Sequence, residues 1–364
     1  MTRPAFDVFC RVIDNLGDAG VCWRLAAQLA AAGHAVRLWI DDLAPLARIL
    51  PEIDASSTDQ TMAGVRVLPW AGAETALPPA DGVVVEAFAC TPPAAYLSAM
   101  AGRGCLWINL EYLSAEDWVR GCHGLPSPQA NGVPKYFFFP GFAPGTGGLL
   151  REPGLIARRD AARMISRRHR LHALTGRDFG DLADEARVVL LFCYPDAPLA
   201  GLRRALATDP RPTLLLAPGA LPDGLADEDS LHVQAVPFVP QQRFDELLWC
   251  CDLNLVRGED SLVRALWAGT PLLWHIYPQA DDAHLDKLEA WLALAALPPA
   301  AADAVRAWNG HDDAACAQAL VEALAAPRFE AWSQRSRQWS DALSAHTDLA
   351  QNLLAFCMRC RQTS

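Results

Sequence analysis

No apolar run in this 364-residue sequence reaches the roughly 20 residues needed to cross a bilayer, so no membrane span is expected. The opening stretch "MTRPAFDVFC" enters a strand-like run at once, without a basic segment, apolar core and cleavage site. No secretory leader is expected from it, and the cytoplasm is the expected compartment. Positive charge is in short supply: 31 Lys and Arg stand against 42 Asp and Glu, a formal net charge of −11. A general nucleic-acid binder draws its affinity from neutralising phosphates, so nucleic acid is not an expected partner. Metal-ligand spacing is missing as well. His123, His275 and His284 are isolated, and Cys122 beside His123 is a two-residue coincidence. No repeat or low-complexity tract interrupts the chain, although 289–326 is rich in alanine.

What is present describes a globular α/β protein. A chain of 364 residues exceeds one ordinary core, which predicts two domains of similar size. The cysteine count is odd, 11, and most sit in apolar segments, as Cys10, Cys90, Cys105, Cys193, Cys250 and Cys251 do. That pattern suits buried free thiols in a reducing compartment. Cys357 and Cys360 make one C-x-x-C without a second pair, which reads as two positions of a terminal helix.

Strands are predicted at 6–13, 35–40, 65–69, 82–88 and 105–110, with helical patterns at 20–33 and 43–50. Residues 121–154 hold many Gly and Pro and the block "KYFFFPGFAPGTGG", which reads as a long ordered loop region. A second series has strands at 187–194, 212–218, 231–239, 253–258 and 271–277, helices at 241–250 and 261–268, and a mostly helical tail at 329–361. Strands alternating with helices mean parallel sheets, here two doubly wound domains with a cleft expected between them. Ligands of such sheets bind beyond the carboxyl ends of the strands. Between the two series, "ARRDAARMISRRHRLHALTGR" at 157–177 holds seven arginines: 158, 159, 163, 167, 168, 170 and 177. It reads as the solvated face of an interdomain helix, or else as a docking patch for an acidic partner.

Four motifs lie at strand ends. After the first strand comes "DNLGDAG", which lacks the G-x-G-x-x-G of a dinucleotide site and adds Asp14 and Asp18. Two acids would repel a pyrophosphate. Either could be a turn or cap residue, but both at one strand mouth suit a functional carboxylate pair. Glu111-Tyr112 follows another strand. In "VRGEDSLVRALWAG", Arg257 precedes a helix opened by Glu259, Asp260 and Ser261. A helix start with a cation and a hydroxyl suits a diphosphate, and Glu259 suits a ribose hydroxyl. A helix cap and an Arg257–Glu259 pair explain the same residues. Phe192, Tyr194 and Phe238 could stack on a base, with Gln241 at its edge, or could be core.

Taken together, "FCRVIDNLGDAGVCWRLAAQLA", "WINLEYLSAEDWV", "KYFFFPGF…GGLLRE", "LFCY", "VPFVPQQRFDELLW" and "RGEDSLVRALWAGTPLLWHIYPQ" resemble the bacterial elongation factor P arginine rhamnosyltransferases, in order from about 6 to 290. The resemblance implies a GT-B fold: two Rossmann-like domains facing across a cleft, with the C-terminal helix crossing back. The domains would be 1–180, with 345–364 packing back on it as the acceptor side, and 181–344 as the nucleotide-sugar side. It implies dTDP-β-L-rhamnose as donor, an arginine of elongation factor P as acceptor, inversion in one displacement, and no metal or cofactor. Its D-x-x-x-D acids match Asp14 and Asp18, with Asp18 the expected base and Asp14 the orienting partner. Its donor positions match Phe192, Tyr194, Phe238, Gln241, Arg257, Glu259, Asp260 and Ser261, to which Gly17 is added. Glu111 and Tyr112 are the expected further acceptor contacts, and 111–150 and the arginine-rich stretch the expected docking surfaces. A GT-B enzyme acting on a small molecule or lipid, and a non-catalytic nucleotide-sugar binder, are the rival readings.

Overall fold

The protein is described by a computed structural model covering residues 3–279 and 282–363. Its chain runs β1 (Phe6–Cys10), α1 (Asn15–Ala31), β2 (Val36–Ile40), α2 (Leu43–Ile49), β3 (Gln60–Met62), β4 (Val65–Pro69), β5 (Val83–Ala87), α3 (Ala94–Ala99), β6 (Leu106–Leu110), α4 (Trp118–Cys122), β7 (Pro126–Ser127) and β8 (Lys135–Phe138). It continues with α5 (Leu155–Arg163), α6 (Arg167–Thr175), β9 (Arg187–Leu191), α7 (Leu199–Thr208), β10 (Thr213–Pro218), β11 (Leu231–Val236), α8 (Gln241–Leu248), β12 (Leu253–Arg257), α9 (Gly258–Ala268) and β13 (Leu272–His275). Five helices close it: α10 (Ala283–Ala295), α11 (Pro299–Trp308), α12 (Asp313–Leu324), α13 (Ala326–Ser344) and α14 (Leu349–Thr363).

The described residues fall into two units, one from Met1–Glu152 with His346–Ser364 and the other from Pro153–Ala345. The boundary therefore follows Glu152 rather than residue 180. The reason is α5 and α6, whose arginines bond to the ends of second-unit helices.

In the first unit the strands order as β3-β4-β2-β1-β5-β6-β8-β7. β1, β5 and β6 are buried along their whole length, as parallel strands covered on both faces must be. Two acids lie inside this core, Asp7 of β1 and Glu86 of β5, the latter paired with Lys135 at 3.0 Å. Asp7 of β1 takes two bonds of 2.6 Å from Arg37 and a third from the Tyr96 hydroxyl, so it is buried with its charge paired. The Gly- and Pro-rich stretch after β6 is not all loop. Its "KYFF" is β8, which pairs with β6 in parallel and β7 in antiparallel register. α14 belongs to this unit: Phe356 packs on His123, Tyr136 and Phe138, and Arg361 Nη2 donates to the Gly82 carbonyl at 2.9 Å. Cys357 and Cys360 are buried on α14 as free thiols.

In the second unit the order is β11-β10-β9-β12-β13, all parallel. Of the seven arginines of 157–177, Arg158, Arg163 and Arg177 are exposed, while Arg159, Arg163, Arg167 and Arg170 bond into the second unit. Arg159 Nη1 donates to the Trp267 carbonyl at 3.0 Å and Arg163 Nη2 to that of Ala268 at 2.6 Å, so both tie off the C-terminal end of α9. Arg170 Nη1 does the same for Trp249 behind α8 at 3.0 Å, and Arg167 pairs with Asp252 at 2.7 Å. Cations at the negative ends of helices are stabilising. Among the described residues no helix is long and apolar enough to cross a membrane.

Candidate active site

The chain moves from β1 to β2 on one side and later reaches β5 on the other, so the order of the sheet reverses at β1 and β5. Ligand sites of doubly wound sheets sit at such switch points, beyond the carboxyl ends of the strands. Asp14 and Asp18 occupy this place. α1 starts at Asn15, earlier than the two glycines suggest, which puts Asp18 inside its first turn rather than before it. The buried Asp18 carboxylate folds back over the turn. Its Oδ2 accepts the Ile13 and Asp14 backbone N–H groups, both at 2.8 Å. Burial pushes its pKa above the ordinary carboxylate value; the two N–H donors oppose this, and the nearby Asp41 adds to it.

Gly17 has a mechanical role here. A Cβ at this position would lie 2.7 Å from Asp14 Oδ2, so the absent side chain makes room for the Asp14 carboxylate. Asp41 was not among the expected residues. It follows β2, next to β1, and its Oδ1 accepts the Val12 N–H at 2.9 Å, which makes it a third acid of this turn. The "ID" that ends the β2 segment carries no pattern that would single it out.

Glu111 and Tyr112 follow β6, on the other side of β5. Glu111 Oε1 accepts from Asn109 Nδ2 at 2.5 Å, and the Tyr112 ring stacks on Phe88 with centroids 4.4 Å apart. Phe88, Ala89 and Thr91 all have positive φ, at 56°, 53° and 44°, which costs about 1–2 kcal/mol each for residues with a side chain. Strain of this kind at a switch point is characteristic of functional loops. The segment "AFACT" gives no glycine to announce it.

The second unit repeats the logic. The sheet order reverses at β9 and β12. Arg257, at the end of β12, lays its guanidinium over the rings of Phe192 (4.6 Å) and Tyr194 (4.9 Å), and its Nη1 donates to the Cys193 carbonyl at 3.2 Å. Arg257 therefore touches both of the rings expected with it at the donor site. Gly258 takes φ 61°, the left-handed turn that lets a strand pass directly into α9. Ser261 Oγ accepts the Arg257 N–H at 3.0 Å and its hydroxyl donates to the Arg257 carbonyl, so it closes that turn. No side chain of Arg257 caps α9, and Glu259 sits half-buried in its first turn.

Gln241 and Asp260 are turned toward each other. Gln241 Nε2 donates to Asp260 Oδ2 at 3.0 Å, Arg264 Nε donates to the same oxygen at 3.1 Å, and Arg264 Nη1 reaches Asp245 at 2.7 Å. All four are buried. This network joins α8 to α9. Phe238 is half-buried just before α8.

His275, read as isolated, is a second residue that sequence reasoning missed, after Asp41. Its Nδ1 accepts the Tyr194 backbone N–H at 3.3 Å, and its ring meets Tyr194 edge-on at 5.3 Å. Burial holds its pKa down at about 4, so the ring is neutral and an acceptor at Nδ1. His123 and His284 likewise accept backbone N–H groups, from Phe139 and Gln279.

Two Rossmann-like units, each with polar residues at a sheet switch point, are the parts of a GT-B glycosyltransferase. The calicheamicin glycosyltransferase CalG4 has this fold: it is 16% identical, with a TM-score of 0.56 over 98% of this chain and 99% of CalG4. A solved structure of EarP, studied for its arginine glycosylation of translation elongation factor EF-P, is 35% identical, with a TM-score of 0.65 over 98% of this chain and 99% of its own. The protein-arginine rhamnosyltransferase of Pseudomonas putida KT2440 is 47% identical over 97% of this chain and 98% of its own length. That of Pseudomonas aeruginosa PAO1 is 45% identical, with the same coverage. Residues 6–358 match the family of the elongation factor P (EF-P) rhamnosyltransferase EarP, and the chain belongs to that family of glycosyltransferases.

Proposed function

We propose that this protein transfers L-rhamnose from dTDP-β-L-rhamnose to an arginine side chain of elongation factor P, with inversion at the anomeric carbon. Family membership and the names of the relatives support the reaction class. The observation that carries the chemistry is the acid pair at the mouth of β1, with Asp18 buried and its pKa raised.

A guanidinium is a poor nucleophile, because its charge and lone pairs are delocalised and its pKa lies above ~12. Asp14, held against Gly17, orients it through a charge-assisted contact. Asp18 takes one proton from the attacking nitrogen. A base with a raised pKa has more drive to do so. The nitrogen forms a bond to C1 of the sugar while the bond from C1 to the diphosphate oxygen breaks, releasing dTDP. In this reading Arg257 and the start of α9 meet the charge that grows on dTDP, and Phe192, Tyr194 and Phe238 take the base. Gln241, Asp260 and Ser261 act by holding that helix start. Glu111 and Tyr112 extend the acceptor side. The step calls for no metal or other cofactor, and the cytoplasm is where its protein acceptor would be met.

The test is the intact mass of elongation factor P after incubation with this protein and dTDP-β-L-rhamnose. A gain of one deoxyhexose on an arginine, absent with Asp18→Asn, is expected. Donor binding without any gain of mass would overturn the acceptor; no donor binding would overturn the reading as a whole.

A further inference from the structure

The second unit has a pocket that the reaction above does not use. A cavity of about 550 Å3 is lined by Arg163, Arg167, Arg170 and Arg337, with Trp249 and Phe329 on its walls. Small-molecule sites commonly have this size. Against four guanidinium groups the lining offers one carboxylate, Asp252, and that one already accepts Arg167 Nη1 at 2.7 Å and the Val188 N–H at 2.8 Å.

The cations here are in surplus. The first turn of α6 has no acid but begins Arg167-Arg168, although the start of a helix disfavours positive charge. Burial, then Arg159, and further Arg337 and Arg170 hold the Arg163 pKa below its ordinary value, against the opposing pull of Asp160. Internal bonds leave donors over. A guanidinium has five N–H groups. Arg163 uses Nη2 on Ala268 and has Nη1 3.9 Å from Asp160; Arg337 gives one bond, 3.1 Å, to Glu330. Arg170 uses Nε and Nη1 on the Ile165 and Trp249 carbonyls.

We propose that this cavity binds a small soluble multivalent oxyanion, seated by Arg163, Arg170 and Arg337. Planar guanidinium groups match phosphate and carboxylate oxygens in pairs, and a polyvalent anion neutralises several of them at once. The location gives the site a use. Cys251-Asp252 and Thr270-Pro271 line it and lead into β12 and β13, whose far ends carry Arg257 and His275. Five residues of strand, roughly 16 Å, separate the two ends, so the pocket and the candidate donor site are distinct.

Calorimetric titration of the full-length protein with inorganic pyrophosphate and, separately, citrate at low salt tests this. Saturable binding of at least one of them is expected in the wild type and in Arg257→Gln, which removes the cation of the donor site. Arg337→Glu should weaken that event about tenfold or more. Arg337 is half exposed, so the variant should fold, with Arg337→Gln as a milder second form; an unchanged melting temperature verifies both. Binding that is the same in wild type and both Arg337 variants, or no binding of either anion at millimolar concentration, overturns the proposal. Which of the two anions binds tells phosphate from polycarboxylate.

Discussion

Replacing Asp18 in two ways separates its chemistry from its structural work. Its Oδ2 accepts two backbone N–H groups at 2.8 Å. In Asp18→Asn the amide oxygen can accept both, so the turn is kept while the proton acceptor is lost. A general base contributes roughly 10²–10⁴-fold to a rate, and kcat should fall by that factor. Stability should move the other way. Burial raises the folded pKa of Asp18 above its unfolded value, so the ionised group destabilises the fold at neutral pH, and this cost fades as pH falls through the folded pKa. Asp18→Asn removes the cost and should melt no lower than the wild type. Asp18→Ala instead strands two N–H donors, at about 1–3 kcal/mol each, or about 2–6 kcal/mol for the pair. That is a large part of a typical stability of ~5–15 kcal/mol. The assays are rhamnosylation of elongation factor P by intact mass, and urea denaturation. An Asn variant with wild-type kcat, or one as destabilised as the Ala variant, would refute this account.

Gly17→Ala places a methyl 2.7 Å from Asp14 Oδ2 and should lower kcat by shifting that carboxylate, read from the intact mass of elongation factor P over time. Arg257→Lys replaces a flat group stacked over Phe192 and Tyr194 by a point charge, and should raise the Kd for dTDP about tenfold. His275 titrates near 6.5 unfolded and at about 4 folded. The unfolded chain binds the extra proton between those values, so stability is lost as pH falls through that window, by about 3 kcal/mol at ~1.4 kcal/mol per decade; urea midpoints against pH should show this loss, and His275→Asn should flatten it. The buried Arg159 ties α5 to the carbonyl of Trp267, and Arg159→Ala should cost about 1–3 kcal/mol in denaturation while leaving the Kd for dTDP unchanged.

The alternation of strands and helices was legible from apolar runs, because parallel strands buried on both faces leave a continuous signal, as "VVVEA" does. Several predicted strands ran long at their carboxyl ends, while those at 35–40, 65–69, 105–110 and 212–218 end where expected. The run 6–13 ends at Cys10, since Arg11 to Asp14 are apolar or polar by composition yet belong to the loop the site needs. The strand in "KYFF" was hidden by the Gly and Pro on both sides of it, and its pairing with β6 and β7 decides it. At the site, residue types gave the acids and Arg257 but not their partners. Gln241 and Asp260 look like ligand contacts from their places at helix starts; that they face each other is a matter of how α8 meets α9, which no local pattern encodes. The bonds of the arginine-rich segment were hidden for the same reason. Its charge was visible, while the carbonyls that absorb it are about 80 to 110 residues away.

The first unit is closed by α14, which follows the second unit along the chain, and this sets an order of birth. The second unit, Pro153–Ala345, is one uninterrupted stretch and can finish as it leaves the ribosome. The first unit, begun earlier, has to wait with the bed of Tyr136 and Phe138 open until α14 emerges with Phe356. Its strands are made first and completed last. The nascent chain thus carries an unfinished first unit through nearly the whole of translation, and termination between Ala345 and α14 would leave a complete second unit joined to an incomplete first one.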